Sequence, residues 1–288
     1  MIKGRSGIRR SKSQKIIFTI IFVLFVLYSI GLVFPLIFGF NLSLKTNADF
    51  YLHPSSISNP PLFSNYLEAF TKIEYKGIGF FMMVLNSIWY ALGGIGLELL
   101  STAMCSYVVA KYKFFGRNFV YILSLVVMLI PVYGALPARY NLLYTLQMTD
   151  SPLYLLSMTN GLGFNFLIMY SFFSMISWEY AESAFIDGAS NYTVFFKIMM
   201  PLAFPSMTAI GIMGFVGLWN DYETPLIFLR NLPTLSAGVY LFELYSATDT
   251  TKHLFIAGSL ISLIPALVIY GVFQNTIMQN VYAGGLKN

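Results

Sequence analysis

Charge is what this chain has least of. Acidic and basic residues make up 10% of its 288 positions, 12 Asp+Glu against 17 Lys+Arg, and long stretches carry none. That scarcity excludes an ordinary soluble domain and a disordered chain, both of which need charged surface to stay solvated. The single cysteine, Cys105, excludes an intramolecular disulfide, so thiol usage says nothing about redox compartment. Cys105 sits in an apolar run and is expected to serve packing. The two histidines, His53 and His253, lie far apart with no ligand spacing around either, and no metal site is expected. No G-x-x-x-x-G-K-[ST] phosphate loop is present, nor a nucleophile, base and orienting group at workable spacing. The chain therefore reads as a non-enzyme with no cofactor, and any nucleotide hydrolysis belongs to a partner.

Apolar residues fill the space that charge leaves: 57% of the chain is hydrophobic and its mean hydropathy is +0.70. Core helices of soluble proteins keep a polar face, so runs of about twenty residues that are apolar all round point to a bilayer. The expected class is all-α, a polytopic membrane protein. The net charge of +5 does not argue for nucleic acid, because the basic residues cluster at the ends of the apolar runs rather than interleaving with aromatics on one surface.

Those basic residues set the topology instead. Lys3, Arg5, Arg9, Arg10, Lys12 and Lys15 precede an apolar run from Ile16 to Phe40, which places residues 1–15 in the cytoplasm and makes 16–40 the first span, with Pro35 near its outer end. The run is long enough to cross and lacks an A-x-A-like exit, unlike a cleaved signal peptide. Residues 41–78 are too polar to cross and too short for a core of their own, and read as an extracellular loop with a short helix around Phe63–Phe70. Five further spans are expected at about 79–110, 119–136, 153–176, 202–218 and 254–273, within a core domain over 79–288. The connections put Lys111, Lys113 and Arg117 inside, and Arg139, Arg230, Asn231, Pro233, Glu243, Asp249, Lys252 and His253 outside. By this topology 11 of the 17 Lys+Arg are inside, counting Lys197 and Lys287, so both termini are cytoplasmic.

The connection over 178–201 is the most informative. Ala181, Ala184 and Phe185 share a helical stripe after Trp178, with Glu179 and Glu182 in the opening turns, where carboxylates favour a helix N-terminus. Gly188 supplies a residue that tolerates positive φ at a helix end. A second run then places Tyr192, Phe195, Phe196 and Met199 at helical spacing until Pro201 interrupts it. Taken alone, this helix–Gly–helix is equally an ordinary helical connection.

The residues decide between those readings. Glu182-Ser-Ala-Phe-Ile-Asp-Gly-Ala189, followed by Pro201, resembles the EAA loop of bacterial ABC importer permeases, with Ser183 where the motif usually has its first Ala. Asn86-Ser87, Ala110-Lys-Tyr-Lys-Phe-Phe-Gly-Arg-Asn118, Ile130-Pro131, Trp219-Asn-Asp221 and Ala283-Gly-Gly-Leu-Lys287 fall in the same order as in MalG-type carbohydrate permeases. The resemblance implies a type I importer (MetI-like) fold of six transmembrane helices in the bacterial plasma membrane. It implies a second homologous permease, two ATP-binding subunits and an extracellular solute-binding protein as partners, and a sugar or oligosaccharide as substrate; a non-sugar solute is the alternative. It also implies that Glu182 pairs with a basic group of the ATPase, that Ala184 and Ala189 allow close approach, and that Asp187 and Gly188 form the turn. A plain helix cap is the other reading of the last two.

A path for sugar needs hydrogen-bonding groups inside the bundle. Glu98 is the one carboxylate within a span and is read either as a path or gate residue, or as a hydrogen bond to a neighbouring helix. Asn86, Asn220 and Asp221 lie near the outer ends of their spans, where helix capping competes with a path role. An intramembrane enzyme combining Glu98 with Arg139 or Asp221 is the reading from another functional class.

Overall fold

The computed structural model describes residues 12–130, 134–245 and 251–285, with side chains described to 274. Four basic residues of the N-terminal cluster (Lys3, Arg5, Arg9, Arg10), Pro131, Asp249 and the last residues, Lys287 among them, lie outside that range. Apart from one short hairpin, β1 (Glu74–Tyr75) with β2 (Ile78–Gly79), the elements are helical.

Among the described residues, four helices are long and apolar enough to cross a membrane: α1 (Lys12–Ser43), α4 (Phe80–Lys111), a run from Asn191 to Asn220, and the first 23 residues of α13 (Lys252–Gly285). They overlap the stretches expected for spans one, two, five and six. α1 is exposed along nearly its whole length, whereas the central helix, α4, is lined with buried residues from Phe80 to Val109. The connecting segment 44–79 carries α2 (Asn47–Leu52) and α3 (Ser64–Lys72) and is tied down from within. The fully buried Lys45 ammonium donates to the carbonyls of His53 and Pro54, while buried Asn65 donates to those of Ser43 and Lys45. Ala69 and Ile73 of this segment join Phe80, Met83, Trp219, Val239 and Ala257 in one buried cluster.

Expected spans three and four are each pieced from shorter elements. α5 (Arg117–Leu129) has 13 residues and α7 (Phe164–Met175) has 12. At about 1.5 Å per residue, neither covers the roughly 30 Å of a hydrocarbon core. For the first, α6 (Leu136–Thr145) is the next described helix. The second is preceded by a 3-10 helix, Pro152–Met158, and separated from it by a break at 159–163 where Gly163 takes φ of +104°. Backbone left open in lipid is costly, and neighbouring helices satisfy this break. Thr102 Oγ1 donates to the Asn160 carbonyl at 2.7 Å, and the buried Ser124 hydroxyl accepts from the Gly163 N–H at 2.9 Å. Cys105, expected to serve packing, is exposed on α4, with its sulfur beside Gly161.

Two expectations are corrected. Pro201 does not interrupt the helix before span five: α9 (Asn191–Val194) passes through a π-helical turn, Phe195–Met199, into α10 (Met200–Asn220) without a gap. A proline at 201 cannot donate to the carbonyl of residue 197 and its ring crowds that carbonyl. The widened turn, in which the Met200 N–H bonds the Phe195 carbonyl, absorbs the mismatch. The connection after span five is also not simply a loop. α11 (Glu223–Phe228) and α12 (Leu235–Tyr245) lie within it, and α12 buries Leu235, Ala237, Gly238, Val239 and Leu241 against the bundle.

Candidate functional site

The connection over 178–201, expected as helix, Gly turn and helix, forms a knob of that build. α8 (Glu179–Ile186) ends in a paired bond set: the Gly188 N–H reaches the Phe185 carbonyl at 3.0 Å and the Ala189 N–H the Ala184 carbonyl at 2.9 Å, with Gly188 at φ +81°. This is the Schellman arrangement, which needs a left-handed residue at that point. A Cβ built on Gly188 meets nothing within 4 Å, so the glycine serves the backbone and leaves its outer side open. Ser190 then caps α9, its hydroxyl accepting from the Thr193 N–H at 3.2 Å.

The knob's two faces differ. Ala181 is fully buried and Ala184, Phe185 and Ala189 pack beside it, in a cluster with Tyr107 and Ala103 of α4, Met169 and Phe173 of α7, and Phe195, Met199 and Ala203. Ring contacts carry this packing inward without a gap. Phe185 lies 6.1 Å from Trp178, Trp178 is 5.6 Å from Tyr112, Tyr112 is 5.6 Å from Tyr107, and Tyr107 is 5.5 Å from Phe173. The opposite face presents Glu179, Glu182, Ser183, Ile186, Asp187 and Gly188 to solvent. The carboxylates of Glu182 and Asp187 have no partner among the described residues. Pro201 is exposed beyond α9 and the π turn, at the start of α10.

The polar residues of the bundle have assigned partners. Glu98 is half-buried and its Oε1 accepts from Asn165 Nδ2 of α7 at 2.8 Å. Asn86 is buried, donating to the Pro233 carbonyl at 3.0 Å and accepting from Trp89 Nε1 at 3.1 Å, while Ser87 accepts from the Leu235 N–H. Asp221 accepts from the Tyr90 hydroxyl at 2.9 Å through one oxygen and from the Thr224 N–H at 3.0 Å through the other, joining α4 to the start of α11. Trp219 Nε1 donates to the Ser262 carbonyl of α13 at 2.8 Å. Asn220 is exposed, with its amide nitrogen bonded back to the Val216 carbonyl. Arg139 donates to the hydroxyl of Tyr154 and stacks over Phe228. Arg139 and Asp221 thus lie around one tyrosine pair, Tyr154 and Tyr90, while Glu98 is engaged with Asn165, and no hydrogen bond joins the three among the described residues. Sequence reasoning did not find Tyr90, Tyr154 or Asn165. One tyrosine or asparagine among many gives no periodic signal, and only the fold selects them.

With this geometry in hand, comparison with known proteins is decisive on the family. Residues 102–277 match the binding-protein-dependent transport system inner membrane component family, a stretch that contains the knob, the break and the last two long helices. The chain belongs to that family. Among relatives, the diacetylchitobiose uptake system permease protein NgcG of Streptomyces coelicolor is 30% identical over 92% of this chain and 87% of its own length. The galactooligosaccharides transport system permease protein GanQ of Bacillus subtilis is 29% identical over 92% and 94%. Among solved structures, the crystal structure of a bacterial ABC transporter involved in the import of the acidic polysaccharide alginate contains a chain that superposes with a TM-score of 0.78. That match covers 93% of this chain and 99% of the other at 22% identity, and it carries the fold alone. The inner membrane component is thus an all-α permease subunit of a transport system, with the MetI-like fold. Its family role is transport.

Proposed function

We propose that this inner membrane component is one permease half of an ATP-driven importer for a sugar or oligosaccharide, and that Glu179–Pro201 is where it receives force from a separate ATPase. The observation that carries this reading is a two-sided knob. One face offers Glu182, Ser183, Asp187 and Gly188 to solvent, and the other is packed through a chain of aromatic rings onto α4 and α7. Because α9, the π turn and α10 form one helix, a push on the knob acts directly on a membrane-crossing element.

In this reading residues 1–15 and the knob are cytoplasmic, 16–40 is the first crossing, 41–78 faces outward and 79–288 is the permease core. Glu182 pairs with a basic group of an ATP-binding subunit, Ala184 and Ala189 keep the approach close, and Asp187 and Gly188 hold the turn. A second homologous permease completes the path and an extracellular binding protein delivers the solute. The names of the relatives, diacetylchitobiose and galactooligosaccharides, favour a small oligosaccharide. Of the path candidates, Asn220 keeps an exposed side chain, whereas Asn86, Asp221 and Glu98 spend hydrogen bonds on the frame. Co-purification tests the reading: the wild-type chain retains its ATPase subunits, and Glu182→Lys releases them. Retention by Glu182→Lys together with undiminished uptake removes the coupling role. A ligand screen of the cognate binding protein tests the sugar separately.

A further inference from the structure

Where α9 and the π turn at the base of the knob meet the end of α4, away from the face carrying Glu182 and Asp187, is an open groove of about 490 Å³. Tyr107 and Phe195 form its floor, and Met104, Val108, Phe114 and Phe196 its walls. The volume lies within the range of about 300–1,000 Å³ usual for small-molecule sites. Its outer residues are exposed despite being apolar: Met104 is 44% and Val108 43% accessible, and Phe196 46%. An uncovered apolar groove of this kind marks a site of interaction.

Its position along α4 identifies the occupant. Met104 and Val108 belong to the last two turns of a helix long enough to cross the membrane, which ends at Lys111. The apolar wall therefore sits at the edge of the hydrocarbon. The polar rim, Lys113 with Asn191 and Tyr192, lies just beyond it. Lys113 is the one charged residue in the lining, and no acidic side chain contributes to it. The Lys113 ammonium and the Tyr192 hydroxyl have no partner among the described residues, while Asn191 is held by the Tyr112 hydroxyl donating to its Oδ1 at 3.0 Å, which leaves its amide N–H groups for a ligand. Apolar wall, positive rim and interfacial depth together match the chain and phosphate of an anionic phospholipid.

We infer that this groove binds one anionic phospholipid of the cytoplasmic leaflet, its acyl chain along Met104, Val108 and Phe196 and its phosphate at Lys113. The site rests on the proposed orientation, with the knob end inside, and is independent of the ATPase-coupling assignment. A lipid seated there would brace the turn 112–116 against α9 at the base of the knob.

Native mass spectrometry of the full chain, purified with the subunits it assembles with, tests this against phosphatidylglycerol and phosphatidylcholine added in turn. The wild type retains phosphatidylglycerol preferentially. Lys113→Gln loses about fivefold of that preference, the equivalent of about 1 kcal/mol for one basic group near a membrane surface. Lys113→Arg and the control Lys197→Gln keep it, and Val108→Trp, which fills the groove, removes retention of both lipids. Equal retention of the two lipids by the wild type overturns the inference, as does an unchanged preference in Lys113→Gln or undiminished retention in Val108→Trp. Solute uptake by the same preparations is read separately: normal uptake with no lipid preference sinks the lipid site alone, and a lipid preference without uptake leaves the lipid site standing while the importer reading falls.

Discussion

Gly188 is the residue on which the local geometry of the knob turns. Its φ of +81° is costly for a residue with a Cβ, yet a Cβ there would touch nothing. Gly188→Ala should therefore act through the backbone alone, at about 1–2 kcal/mol, and Gly188→Asn, which tolerates the left-handed region better, should be milder. Thermal unfolding of the purified protein checks the order wild type, Asn, Ala. Glu98 poses a different question, because its carboxylate bonds Asn165 and is also half-exposed. Gln can still accept that bond and Ala cannot, so Glu98→Ala should lower stability by about 0.5–2 kcal/mol while Glu98→Gln stays near wild type. If Glu98→Gln is fully stable but uptake is lost, the carboxylate charge itself serves the path.

Among the elements, the break at 159–163 and the π turn at 195–199 were not legible in the sequence, and for the same physical reason. Hydropathy measures what lipid tolerates on the outside of a segment and does not report backbone geometry: the break is satisfied by distant partners, Thr102 and Ser124, and the π turn by its own shifted bonds. The run Thr159-Asn-Gly-Leu-Gly163 carries turn-forming residues that could have marked the first. Ser124, which closes the break from α5, is invisible until the fold brings it there. Ser124→Ala should leave the buried Gly163 N–H without its acceptor, at about 1–3 kcal/mol, read as a lowered melting temperature and faster proteolysis between α7 and the 3-10 helix. The π turn makes its own prediction. Deleting Lys197 together with Pro201→Ala lets the helix regularise with both flanks in register, and uptake survives. Deleting Thr208 from regular α10 instead rotates everything before it by about 100° and abolishes uptake in correctly inserted protein. Uptake assays with membrane-fraction blots separate the two.

Across the whole molecule, the long helices α1, α4, α10 and α13 were legible because uncharged runs of that length have one physical explanation. So was the helix–Gly188–helix, whose turn chemistry is local. The continuity through Pro201 was not, because a proline is ordinarily a stop and only the widened turn overrides it. Nor was α12: its apolar residues face protein rather than lipid, and it is short enough to pass for a loop. Of the polar residues proposed for a path, the fold shows why sequence could not sort them. Asn86 and Asp221 have the composition of a site and the hydrogen bonds of a frame. Asn86 and Asp221 tie the bundle at the end of α4 opposite the knob, and on the knob the carboxylates of Glu182 and Asp187 have no partner among the described residues, as expected of an element that docks. The most direct test of that docking role is solute uptake by cells carrying Glu182→Lys with Gly188→Pro, with insertion followed by membrane-fraction blots. The account predicts wild-type levels of inserted protein and uptake at background. Uptake at the wild-type rate would contradict it.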